Sequence, residues 1–162
     1  MNNFFSFASL TSPSPLARDL KSITMNTKVL LAGLAAGVFY FFAGWVVYGM
    51  LLMDYMTANM TVYEGLMKTE EEMNFAALII SNLAWGLLVA MVCDKTNSKS
   101  LMAGAMTGLW VGFLIMLSFD ASFKAFFNLY TDTYLMVDLV VGTLFMAAGG
   151  AVAGLILGTG NK

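Results

Sequence analysis

"TYLMVDLVVGTLFMAAGGAVAGLIL" occupies Thr133–Leu157 and is apolar almost throughout. An α-helix crosses a hydrocarbon core of ~30 Å with ~20 consecutive apolar residues, so this stretch reads as a membrane span. Two details set it apart from plain greasy sequence. Gly150, Gly154 and Gly158 recur at four-residue intervals, with Gly142 in step two turns earlier, and one carboxylate, Asp138, interrupts the run.

Three further runs of the same kind lie upstream, at Val29–Leu52, Met73–Cys93 and Leu101–Phe119, and the last is taken as Tyr134–Leu157. The chain has 162 residues, of which 59% are hydrophobic and 11% charged, whereas soluble domains carry ~25% charged residues. A soluble fold would need four helices hydrophobic all round, with too little chain left to cover them. The expected fold class is therefore all-α: a polytopic membrane protein built as a four-transmembrane-helix bundle. Residues 1–27 are expected to form a polar, disordered tail, and 28–162 a single transmembrane domain with spans at about 29–52, 73–93, 101–119 and 134–157.

Composition also excludes chemistry. The net charge of −2 and the lack of a basic patch argue against a nucleic-acid partner. Histidine is absent, which removes His-ligated haem, His metal sites and a His general base. The single cysteine, Cys93, cannot form an internal disulfide or a CxxC pair and is expected to pack as a small hydrophobe. No catalytic, cofactor-binding or metal-binding set is expected.

The segment "SFASLTSPSPLARDLKS" has no apolar core, so it is not a secretory signal. It is poor in acid and carries Arg18 and Lys21, which gives it a weak likeness to an organellar transit peptide; a disordered tail or an upstream extension is the simpler reading. Arg18, Lys21, Lys28, Lys95, Lys99 and Lys162 fall on one side of four spans, and Lys68 and Lys124 on the other. The positive-inside rule then places both termini and the Asp94–Ser100 loop in the cytoplasm.

The two outer connections are long. Met56, Met60, Tyr63 and Met67 have helical spacing in the first, and Phe119, Phe123, Phe126 or Phe127, and Tyr130 in the second. Both are expected to be short amphipathic helices at the outer surface. Thr69–Glu72 has capping-box spacing and is expected to start the second span, with its glutamates favoured by the helix dipole.

Helices in lipid associate through close backbone approach and interhelical hydrogen bonds, so small-residue seams mark packing faces. Gly33 and Gly37 form one in the first span, Gly104, Gly108 and Gly112 one in the third, and Gly150, Gly154 and Gly158 one in the fourth. Asn82, Gly86 and Ala90 form a looser stripe in the second. The seams suit internal packing, and the small residues on several faces of the fourth span also suit self-association. "LLAGLAAG" (30–37) and "LMAGAMTG" (101–108) share register, as two parallel-repeat helical hairpins would. Trp45, Trp85 and Trp110 lie inside their spans, where they either line a pocket or fill space opposite the glycines. The fourteen methionines suggest an adaptable core.

Asp138 lies about one turn inside the outer end of the fourth span. At the midplane an aspartate costs ~2.5–3.5 kcal/mol, and less near the surface. Tyr48, Asn82 and Lys124 are its candidate partners. Asp54 and Asp120 end the first and third spans and Asp132 precedes the fourth, so the acids either gather at one mouth, raising each other's pKa or binding a cation, or stand apart with Asp132 as an N-cap. The candidate functional polar residues are Asp138, Tyr48, Asn82, Asp120 and Asp54. No span carries an acid or base near its centre. That argues against a proton-coupled pump and against small four-span drug exporters, which use a buried glutamate in their first span.

"VYGMLL" (47–52), the long acidic first loop, "AGAMTGLWVGF" (103–113) and "GGAVAGLILG" (149–158) carry one family likeness. Together they resemble a bacterial family of small four-span proteins classed as a domain of unknown function, with a Trp-Tyr-x-Pro-Leu type motif ending the first span. Tyr48 and Leu51 match that motif, whereas Val47 and Met50 replace its tryptophan and proline. The resemblance covers Thr27–Gly158 and implies a four-helix membrane bundle without a defined activity. The resulting expectation is a small non-enzymatic membrane protein, a structural or accessory subunit of an oligomer or larger membrane complex. The alternative is a small channel or carrier with an acidic outer mouth at Asp138, Asp120 and Asp54. Expected partners are the lipid bilayer and copies of itself or other membrane subunits.

Overall fold

A computed structural model describes residues 26–69 and 71–160. The N-terminal tail with Arg18 and Lys21, Glu70 and Lys162 lie outside the described residues. The chain forms α1 (Thr27–Val46), which continues as a π-helical turn over Val47–Leu51, then α2 (Met53–Ala58), α3 (Phe75–Lys95), α4 (Leu101–Phe126) and α5 (Asp132–Gly158). Four of these segments are long and apolar enough to cross a membrane, at 25, 21, 26 and 27 residues with the π turn counted into the first. The protein is a multi-pass, all-helical integral membrane protein. At 1.5 Å per residue α3 just spans a ~30 Å core, while α4 and α5 overrun it by about two turns.

Helix starts leave N–H groups unpaired, and each long helix meets one with a side chain. Asn26 accepts from the Lys28 N–H, Asn74 from Ala77, Ser100 from Ala103 and Thr131 from Tyr134. Two expected starts are therefore corrected. Thr131, not Asp132, caps α5, and Asp132 instead pairs with Lys124 at 2.8 Å. Thr69 and Glu72 do bond, with the Glu72 carboxylate accepting from the Thr69 N–H and hydroxyl, but they close a local turn, and α3 starts at Phe75 with Asn74 as its N-cap. Thr27, placed in the tail by sequence, is the first residue of α1.

The outer connections also differ from expectation. Only Met53–Ala58 of the first is helical, because Gly65 adopts a φ of 77° and residues 61–69 lie exposed with no face to bury. The second is not a separate helix: α4 runs on to Phe126, since no Gly or Pro interrupts "DASFKAF". The two connections are tied together instead. Thr61 N–H donates to Leu129 O and Thr131 N–H to Asn59 O, making a bridge between Met60 and Tyr130.

The helices pack as two antiparallel hairpins, α1 with α3 and α4 with α5. In the first, a Cβ on Gly33 or Gly37 would lie 2.9 Å from the Cα of Leu87 or Leu83, and Gly86 abuts the backbone of Gly33 and Gly37. In the second, Gly104 and Gly108 face Gly150, Gly154 and the backbone of Met146, Gly112 faces the Met146 side chain, and Gly158 abuts Lys99. Both outgoing helices thus turn their paired glycines to the returning helix of their own hairpin. The hairpins join through α5, which contacts both α1 and α3, while α3 and α4 barely touch. Gly149 leaves room for the Tyr40 ring, whose hydroxyl donates to Met146 O at 3.1 Å.

The buried core (Val29, Ala32, Ala36, Tyr40, Val89, Ala90, Cys93, Met146, Ala153 and Leu157) comes from α1, α3 and α5, near the end of the bundle that carries Asn26 and Gly160. At this terminal end Ser98 hydroxyl bonds Thr107 at 2.7 Å and Thr96 at 2.9 Å. The Lys28 ammonium donates to Thr159 O, bringing both described ends of the chain together and placing a cation at the C-terminus of α5.

Candidate functional site

At the opposite, distal end the packing opens. Helical periodicity places Met116, Asp120 and Phe123 on one face of α4, and Tyr134 and Asp138 one turn apart on α5. Together with Trp85 of α3, Phe119 and Tyr130, they line a cavity of about 260 Å³. Its existence follows from the architecture: α3 and α4 are the neighbours that do not close on each other. A second cavity of about 120 Å³ shares Trp85 and Met116 with the first and reaches inward to Tyr40, Asn82 and Met146.

Asp120 is the unusual residue. It is only 7% exposed, and its Oδ2 atom has no hydrogen-bond partner. A buried acceptor left unpaired costs about 1–3 kcal/mol, more when charged. Asp138 stands close enough for direct electrostatic interaction with Asp120, and Tyr48 lines an adjoining cavity together with Asp138. Tyr48 sits in the π-helical turn, which is closed by the Leu52 N–H to Val47 O bond at 2.9 Å. Such turns re-aim a side chain by inserting one residue into a helix.

Aromatic rings roof the pair. Tyr130 stacks on Tyr134 with centroids 4.3 Å apart, and Phe123 meets Tyr130 edge-on at 5.5 Å. Burial raises the Tyr130 phenol above the ordinary tyrosine range, and the carboxylates of Asp138 and Asp120 push it the same way.

The other sequence candidates fall elsewhere. Asn82 lines the inner cavity but spends its amide N–H on Leu78 O of its own helix, so it is not a partner of Asp138. Lys124 points to Asp132 and not to Asp138. Asp54 is exposed on α2 and lines none of these cavities, so the mouth is built from Asp120 and Asp138 and not from three acids. Among the described residues no three His, Cys, Asp or Glu side chains come together as a metal site. Trp45 and Trp110 face outward, Trp45 lying against Gly49 one turn on, and neither meets the glycines of the helix seams, whereas Trp85 lines both cavities. Cys93 is buried, with its sulfur 4.0 Å from Gly150 O.

Sequence reasoning missed Phe123, Tyr130 and Tyr134 as lining residues. The signal was present: Tyr130, Tyr134 and Asp138 are spaced by four, as are Met116 and Asp120. It was hidden by ending the third span at Phe119. Comparison with family models, curated proteins and solved structures gave no match.

Proposed function

We propose that this multi-pass membrane protein, without enzymatic activity, binds a cation at its distal crevice and acts as a small carrier. The observation that supports this reading is the buried, unpartnered carboxylate of Asp120, held beside Asp138 in a cavity. An acid inside a span is costly to keep and typically marks an ion or substrate path. The glycine-sealed terminal half favours a carrier over an open channel, because the cavities end at Tyr40 and Met146. Three described lysines (Lys28, Lys95, Lys99) at the terminal end, against Lys68 and Lys124 at the distal end, support termini in the cytoplasm and a distal face directed outward. Flux of a fluorescently tracked cation into proteoliposomes should fall at least tenfold in Asp120→Asn and Asp138→Asn; unchanged flux in both variants rejects the carrier.

A second reading, an accessory subunit of an oligomer or larger bacterial inner-membrane complex, draws on a different observation. The distal end of α3, Phe75–Ile80, is exposed on every face, and so are the mid-span rings of Trp45 and Trp110. Native purification distinguishes the two: a stoichiometric membrane partner supports the subunit, and a lone 17.5 kDa species opposes it.

A further inference from the structure

We infer that the crevice between α3, α4 and α5 takes an organic ammonium ion, a small amine with an apolar body, in preference to a metal ion. This rests on the cation site proposed above and names its ligand class. Three features of the crevice converge on it.

The first is the oxygen count. Calcium takes six to eight oxygen ligands and magnesium demands octahedral geometry. The crevice offers the carboxylates of Asp120 and Asp138 and a few phenols, and the described residues assemble no third acid beside them. The second is the wall. Trp85, Phe123, Tyr130 and Tyr134 surround the acids, with the Tyr130–Tyr134 stack and the edge-on Phe123 presenting π faces and edges. Aromatic faces attract ammonium ions through the ring quadrupole, and recognition of such cations by aromatic cages is their recurrent use. A compact inorganic ion keeps its hydration shell and gains little from such walls, whereas an alkyl or aryl ammonium leaves its apolar body against them and turns its charge to the acids. The third is size. About 260 Å³ is just below the ~300–1,000 Å³ of drug-sized pockets, which suits a small amine.

The unpaired Oδ2 of Asp120 supplies the orientation. It is the one buried side-chain acceptor without a partner among the described residues, so the ammonium N–H or N–CH₃ groups dock there. The neighbouring Asp138 lines the same crevice and contributes the second negative charge.

The test is titration calorimetry on the full chain in nanodiscs, with empty nanodiscs subtracted. The probes are phenethylammonium, tetramethylammonium, sodium and calcium chlorides. Saturable one-to-one binding of an ammonium probe is expected, weakened at least tenfold by Asp120→Asn and at least fivefold by Tyr130→Leu and Phe123→Leu. Asp54→Asn, an exposed acid outside the crevice lining, leaves it unchanged. Melting temperatures of the variants control for folding. If sodium or calcium binds in an Asp120-dependent way and neither ammonium does, the ligand class is wrong while the cation site stands. The ligand class is equally wrong if ammonium binding ignores both aromatic variants. If no probe binds, both the ligand class and the cation site fall.

Discussion

Gly104 and Gly150 bring α4 and α5 so close that a Cβ on either would strike the other's backbone, yet further along the same two helices hold Asp120 and Asp138 across an open cavity. One pair of helices thus shows two kinds of packing. At the terminal end small residues let backbones touch, and hydroxyls and carbonyls find partners in Ser98, Thr107 and Lys28. At the distal end α3 stands away from α4, aromatic rings line the opening, and a carboxylate stays unsatisfied. The contrast teaches that close packing and the unsatisfied acid are segregated along the membrane normal: the sealed half carries the fold, which lets the open half retain a destabilising group.

Substitutions can break this contrast. The largest effect is expected at the seam: Gly150→Leu should prevent stable assembly, and Gly150→Ala should cost about 3 kcal/mol, the upper end of ordinary overpacking, because its Cβ meets backbone and not a movable side chain. Thermal unfolding in detergent measures it. The opposite sign is expected in the crevice, where Asp120→Leu removes an unpaired buried acceptor and should raise stability by about 1–3 kcal/mol while abolishing ligand binding. A destabilised Asp120→Leu would mean that the carboxylate is partnered after all.

Smaller effects sharpen the boundary between the halves. Tyr40→Phe deletes the bond to Met146 O that joins the hairpins and should cost about 1 kcal/mol. Tyr130 should ionise above the ordinary tyrosine value of ~10. Because its folded-state pKa is raised, its contribution to stability is fully present below the unfolded value of ~10 and is lost as pH rises from there through the folded pKa. Asp120→Asn should bring the Tyr130 ionisation partway back, read as tyrosinate absorbance against a Tyr130→Phe background; no change would place Asp120 too far away to matter. The exposed Lys124–Asp132 pair should contribute no more than about 0.5 kcal/mol when either partner is changed to Ala.

The spans were legible because lipid demands length and apolarity, and those are written residue by residue in runs such as Thr133–Leu157. The glycine intervals were legible for the same reason, since close approach needs missing side chains at fixed spacing. Asp120 and Asp138 stood out as acids among apolar residues. Their convergence did not, because it depends on α3 and α4 failing to close, which tertiary contacts set, and on α4 continuing to Phe126 beyond the end of its apolar run. The π-helical turn that aims Tyr48 has no signature in "VYGML", and Asp54, which looks equivalent to Asp120 in sequence, is carried away by the break at Leu52.

The segregation itself is open to direct measurement with a trimethylammonium-bearing methanethiosulfonate, a charged thiol reagent, applied to the protein in nanodiscs. Cysteines introduced at Met116 and Tyr130 in a Cys93→Ala background should react rapidly, and binding of phenethylammonium should protect them. Native Cys93 and a cysteine at Val89, both in the buried core of the sealed half, should stay unmodified. Equal labelling of both halves, or no labelling at Met116 and Tyr130, would contradict a sealed terminal core beneath an open distal crevice.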